Sequence, residues 1–302
     1  MLMAAPMAAQ VTLRREARLG AAFAAPAALL LLCIYLVPCA VLLGLAFTDY
    51  ELGAVWLRFG GLDNFAAALG DAVFRRAIAN TFLYVAIVLP AGVLLGLGAA
   101  LLVQARLRLR SVWEIIYFLP VTSTLIAMAT VWKFVLHPRL GPVNAVLRDL
   151  GLGEWAFLSE PALVLPTLAF LGVWQIVGFN MVLFLAGLAA IPRDLYDAAA
   201  LDGCHGATDR FLRVTWPLLG PTTMFVTVTT SITAFKVFDT VAVLTRGGPA
   251  GASEVLLYVV YLEGFQYFRL GYAAALTLIF LAFILLLSVA QAFVLDRRVH
   301  YR

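Results

Sequence analysis

The chain has 302 residues, of which 64% are hydrophobic and only 13% charged, with a mean hydropathy of +0.98 and a formal net charge of +4. Soluble domains run at about 45–50% apolar and about 25% charged, and a chain of this length has too little interior to hide the surplus, so a bilayer is the simpler solvent. The pI of about 9.1 does not mark a nucleic-acid partner, because the basic residues form short clusters between apolar runs rather than a binding stripe.

Apolar runs long enough to cross roughly 30 Å of hydrocarbon recur six times. The first, Ala21 to Phe47, follows Arg14, Arg15 and Arg18. It is too long for a signal peptide and lacks a persuasive cleavage site, so it reads as a retained helix. At 1.5 Å per residue it spans about 40 Å, which implies tilt or an extended end. Cys33 and Cys39 lie in this run but are not well aligned on one helix face, and with Cys204 they form no disulfide or metal-ligand pattern. All three read as free thiols behaving as small apolar residues.

A polar outer loop with short helices, Thr48 to Ala77, leads to the second run, Ile78 to Val103, and a basic turn at Arg106, Arg108 and Arg110. In the third run, Trp113 to Leu136, Thr122, Ser123 and Thr124 follow Pro120, which allows a kinked or unwound stretch. Trp132 and Lys133 near its end read as anchors at the outer interface. The loop His137 to Glu160 is broken by Pro138, Gly141, Pro142, Gly151 and Gly153. His137 and His205 lie in loops without ligand-like companions, so no metal site is expected.

The fourth run, Pro161 to Ile191, carries Trp174, Gln175 and Asn180. An aromatic face beside amide groups suits a sugar ring; a polar contact between helices accounts for them equally well. After the polar segment Pro192 to Trp216, the fifth run extends from Pro217 to Leu244. Thr229, Thr233, Lys236 and Thr240 follow i, i+4, i+7, i+11 spacing on one helix face, and Asp239 is placed to pair with Lys236. They read either as the wall of a solute pathway or as helix–helix glue with a structural ion pair. The loop Thr245 to Leu270 and the last run, Gly271 to Leu295, complete the chain.

Six spans put both termini on one side, together with the clusters Arg14/Arg15/Arg18, Arg106/Arg108/Arg110, Arg193/Arg210/Arg213 and Arg297/Arg298/Arg302. The arginines of the opposite loops are scattered. The positive-inside rule therefore assigns the termini and the segment Pro192 to Trp216 to the cytoplasm.

That segment reads Pro192-Arg193-Asp194-Leu195-Tyr196-Asp197-Ala198-Ala199-Ala200-Leu201-Asp202-Gly203. Pro192 and Asp194 suit a helix start, Leu195 to Leu201 favours helix, and Gly203 suits a left-handed stop. A second helical piece, Ala207 to Trp216, returns to the membrane at Pro217. Small alanines let another protein approach closely, while Tyr196 and Leu201 are placed to anchor in a pocket. An ordinary connection between spans fits the pattern as well.

The run Asp197-Ala198-Ala199-Ala200-Leu201-Asp202-Gly203, followed by Phe211, Val214, Pro217-Leu218-Leu219 and Pro221, resembles the "EAA" loop of binding-protein-dependent ABC importer permeases of the sugar and glycerol-phosphate type. Gly61-Leu62-Asp63-Asn64-Phe65, Asn80-Thr81, Leu119-Pro120, Gly141-Pro142-Val143-Asn144 and Gly247-Gly248-Pro249 extend the resemblance over nearly the whole chain. Two departures stand out: Asp197 replaces the usual glutamate, and the stretch from Gly203 to Phe211, with Cys204-His205, is one residue longer than is common.

The resemblance implies an all-α, polytopic fold of six transmembrane helices. Residues 1–76 would form a tail, first helix and outer loop, residues 77–295 the core permease with a coupling loop at 192–217, and residues 296–302 a cytoplasmic tail. It implies alternating-access import, with Tyr196, Asp197, Ala198, Ala199, Leu201, Asp202 and Gly203 docking on a cytoplasmic ATPase. The expected solute is a sugar, oligosaccharide, polyol or glycerol phosphate, passing Trp174, Gln175, Asn180, Thr229, Thr233, Lys236 and Asp239. The expected partners are a second, homologous permease in a heterodimer, two ATPase subunits holding ATP and magnesium, and an extracytoplasmic solute-binding protein, all at a bacterial inner membrane. No phosphate loop, H-E-x-x-H or G-x-S-x-G is present in the sequence, so no catalytic role is expected of this chain. An ion-gradient-driven transporter is the alternative, with Asp239 as its lone midplane carboxylate.

Overall fold

The computed structural model describes residues 7–105 and 110–296. Arg106, Arg108, Arg297, Arg298 and Arg302, and the side chains of Arg14, Arg15 and Arg18, lie outside the described part.

The fold is helical. Helix α1 (Met7–Leu31) runs through a π-turn at Leu32–Leu36 into α2 (Val37–Leu45). A short loop, held by an antiparallel bridge between Thr48 and Phe59, leads to α3 (Asp63–Gly70). Helix α4 (Ala72–Gln104) begins earlier than hydropathy suggested, because the Asp71 carboxylate accepts a hydrogen bond from the Val73 amide at 2.8 Å and caps it in front of the polar turn Arg75-Arg76. Then come α5 (Arg110–Thr122), α6 (Leu125–Val135), the outer helix α7 (Pro142–Asp149) and the long α8 (Pro161–Ala189). The polar segment forms α9 (Arg193–Leu201), α10 (Ala207–Arg210), a π-turn at Phe211–Thr215 and α11 (Trp216–Leu218). Helix α12 (Gly220–Phe235) re-enters the apolar layer, α13 (Leu256–Tyr261) lies in the following loop, and α14 (Leu270–Asp296) closes the described chain.

Four helical stretches, 19–45, 72–104, 161–189 and 270–291, are long and apolar enough to cross a membrane. Two bent pairs bring the spans to six: α5 with α6, bent by 102°, and the helical piece Ala207–Leu218 with α12, bent by 68°. The first bend falls at Ser123-Thr124, just after Pro120. The apolar run from Pro217 to Leu244, read as one helix, is broken. It turns at Leu219, and α12 stops at Phe235, before a π-turn at Val241–Thr245.

Burial ranks the spans. The apolar window of α8 is 56% buried and that of the first span 0% buried, so α8 is the centre of the bundle and the first span its rim. Helices α4 and α8 approach closely because Gly96 faces Asn180: a Cβ at Gly96 would lie 2.6 Å from the Asn180 Cβ. Asn180 itself is fully buried, donates from Nδ2 to the Gly92 carbonyl at 3.0 Å and accepts from the Thr230 hydroxyl at 3.1 Å. One amide thus fastens α4, α8 and α12 together in a layer that offers no water.

Candidate functional site

The break in the fifth span creates the principal cavity. Where α12 ends at Phe235, Lys236, Val237, Phe238, Asp239 and Thr240 turn past α8 and α4 around a space of about 380 Å³. Gln175 and Phe179 of α8, Tyr84 and Val88 of α4, Val121 of α5 and Thr233 of α12 complete the wall. Aromatic and aliphatic surface thus meets one amide, three hydroxyls, one ammonium and one carboxylate, a lining suited to a polar solute with an apolar face.

The hydrogen-bond pattern separates structural polar groups from available ones. Thr229 and Thr233 return their hydroxyls to the carbonyls of Phe225 and Thr229, at 2.8 and 2.9 Å. Thr230 is engaged with Asn180. Gln175, Lys236, Asp239 and Thr240, in contrast, make no side-chain hydrogen bond or ion pair among the described residues, and all four line the cavity. The Lys236–Asp239 pair expected from helical spacing does not form, because the helix ends between Phe235 and Lys236 and the i, i+3 geometry ends with it.

The cavity therefore gathers part of the expected pathway set. Gln175, Thr233, Lys236 and Asp239 line it. Trp174 faces a small adjoining void. Asn180 and Thr229 do not line it: Asn180 is consumed by the three-helix staple, and Thr229 bonds its own helix. Tyr84, Phe179 and Phe238 were not foreseen, since each lies in an apolar stretch whose sequence does not distinguish a cavity wall from a core.

The polar segment forms the second site. Helix α9 ends at Leu201, and Gly203 adopts φ = +85° with nothing within 4 Å of a would-be Cβ, so backbone conformation alone favours glycine there. The amides of Asp202, Gly203 and Cys204 bond back to the carbonyls of Ala198, Ala200 and Ala199 and close the turn. Cys204 is buried in it. Leu201 is 91% exposed, and Asp197 and Ala198 share the open surface of α9. Tyr196 behaves differently from Leu201. It is half-buried, and its hydroxyl meets that of Thr215 at 3.1 Å, so it holds α9 to the returning helix instead of projecting from it.

On the far side of the bundle, Arg76 pairs with Glu254 at 2.6 Å, and Asn80 donates to the carbonyls of Gly251 and Glu254. The Thr81 hydroxyl accepts from the Leu256 amide at 2.9 Å and caps α13. The opening of α4 is thereby fixed to the loop that follows Gly247-Gly248-Pro249.

The profile of the family described as "Binding-protein-dependent transport system inner membrane component" matches residues 89–301. The chain belongs to this family. The sn-glycerol-3-phosphate transport system permease proteins UgpA of Agrobacterium fabrum and Rhizobium meliloti are 33% and 35% identical to this permease over 249 and 252 residues, covering 81% and 80% of this chain and 83% of each relative. A bacterial alginate ABC transporter, solved in complex with an alginate pentasaccharide-bound periplasmic protein, contains a chain with the same fold: TM-score 0.83, 24% identity, 94% of this chain and 96% of that one covered. The permease is thus a multi-pass inner membrane component of a binding-protein-dependent import system, and the ion-gradient alternative is set aside.

Proposed function

We propose that this permease carries a carbohydrate-like solute, of the sugar, oligosaccharide, polyol or glycerol-phosphate class, through the cavity at the break of its fifth span. The observation that carries the reading is the set of four polar side chains, Gln175, Lys236, Asp239 and Thr240, turned into one space and unengaged by described residues. A hydroxyl-rich solute would complete their hydrogen bonds, and Phe179, Phe238 and Tyr84 would cover its apolar face. The named solutes of the relatives belong to the same chemical class.

In this reading the surface of α9 from Asp197 to Gly203 docks on a cytoplasmic ATPase, with Leu201 as its protruding apolar anchor. Tyr196 transmits movement of α9 to the returning helix. Hydrolysis of ATP, with its magnesium, belongs to that partner. A second, homologous permease completes the pore in a heterodimer, two ATPase subunits drive it, an extracytoplasmic binding protein delivers the solute, and both termini face the cytoplasm. Core residues 77–295 form the moving body.

The test is uptake by the complete importer in proteoliposomes with ATP inside, using sn-glycerol 3-phosphate and alginate pentasaccharide, each loaded on the system's binding protein. ATP-dependent uptake of either probe is expected. Undiminished ATPase activity with uptake of neither would remove the carbohydrate-like assignment, and uptake that ignores ATP would remove the coupling assignment.

A further inference from the structure

Trp132 was expected to anchor at the membrane interface. Its ring turns inward instead, edge-to-face with Trp174 at 5.3 Å and 81° and with Phe170 at 6.2 Å and 90°. Its indole Nε1 is buried and has no acceptor among the described residues. A buried N–H left without an acceptor is costly, so an acceptor at this position is favoured when one arrives.

The surroundings say what that acceptor can be. Trp132 borders a void of about 10 Å³, room for about one oxygen atom, shared with Trp174, Gln175 and Thr240. Gln175 and Thr240 also line the main cavity, so the void is an annex of it. Pro120 of α5 and Met128 of α6 also line it, so both arms of the 102° bend border the annex.

We propose that Trp132 is a specificity-determining residue: its indole N–H donates to one solute oxygen seated in this annex, with Gln175 and Thr240 as the neighbouring polar groups. This rests on the reading of the main cavity as the solute site. The annex admits a single oxygen, so it selects for a hydroxyl or phosphoryl oxygen at one position and leaves the rest of the solute to the larger space. An oxygen held there also joins α6 to α8 and makes the bend of the third span part of solute recognition.

Two replacements of the donor test this in the reconstituted importer, with sn-glycerol 3-phosphate and alginate pentasaccharide as probes. Trp132→Phe keeps an aromatic ring and removes the N–H. Benzothienylalanine at position 132 keeps the full bicyclic shape and also removes it. Both are expected to raise the half-saturating concentration of the transported probe about three- to tenfold, the loss of one neutral hydrogen bond, with assembly of the importer retained. Wild-type half-saturation with both replacements overturns the proposal. So does an effect of Trp132→Phe that the shape-preserving isostere does not share, which assigns the residue to packing. If the wild-type importer takes up neither probe while hydrolysing ATP, the cavity reading falls first and this inference falls with it.

Discussion

The hydroxyls of Tyr196 and Thr215 lie 3.1 Å apart, one on α9 and the other in the π-turn that leads back to the membrane. Thr215 is buried and Tyr196 half-buried, so the contact is a fixed joint between an exposed helix and the spans. Tyr196→Phe removes the bond and keeps the ring packing. A net hydrogen bond is worth about 1 kcal/mol, so the melting temperature of the purified subunit should move little. Transport per ATP hydrolysed should fall, because α9 then moves without pulling the returning helix. Equal coupling ratios in wild type and variant would show that the joint transmits nothing.

Gly203 sits at φ = +85° with open space around it. Gly203→Val should cost roughly 1–2 kcal/mol from backbone conformation alone and rotate the end of α9. Membrane insertion should persist while transport falls severalfold. Gly203→Asn, which tolerates left-handed backbone, should retain most transport. If asparagine and valine are equally damaging, conformation is not the reason for glycine.

Asn180 is the staple of three helices. Asn180→Ala leaves the Gly92 carbonyl and the Thr230 hydroxyl to find other partners and should destabilise the bundle by about 1–3 kcal/mol, read as a lowered melting temperature in detergent. Half-saturation for solute should change less than it does for a residue facing the cavity. A large change in affinity with unchanged melting would move Asn180 back into the pathway.

Lys236 and Asp239 both line the cavity and form no ion pair with each other. Lys236→Met should therefore weaken uptake of an anionic solute such as glycerol 3-phosphate about tenfold or more, the scale of one charge-assisted hydrogen bond. Asp239→Asn should leave that uptake unchanged or improve it. Uptake rates over a range of probe concentrations separate these outcomes. The opposite order of effects would make Asp239 the group that contacts solute and Lys236 its counter-charge.

The sequence made the membrane spans and the α9 turn readable for different reasons. Hydropathy reports on lipid, and lipid surrounds most of the bundle. The Gly203 stop is a local backbone event, and local chemistry predicts it. The fifth span failed as a single helix because its break at Lys236 carries no proline or glycine, and periodicity extrapolates through such a point. Thr229 and Thr233 drew attention by their spacing, whereas Thr230, one position away, is the threonine that meets Asn180. Trp132 looked like an anchor because its neighbour Lys133 is polar and the run ends there, but the bend at Ser123-Thr124 turns its ring toward α8. Which polar residue staples and which faces solute is decided by contacts between distant segments, and a single sequence does not contain them.

The end of α12 at Phe235 has one more consequence. A helix that stops inside the apolar layer must find new partners for its last carbonyls, and here the following turn supplies two of them: the Lys236 amide donates to the Ile232 carbonyl and the Val237 amide to the Ala234 carbonyl, both at 3.2 Å, beside the cavity. The turn that borders the cavity is thus closed by main-chain bonds, in a form that no side-chain replacement removes. Lys236, Asp239 and Gln175 can therefore be exchanged while the turn keeps its course, and single variants of those residues should shift preference among polyhydroxylated solutes more readily than they abolish uptake of all of them.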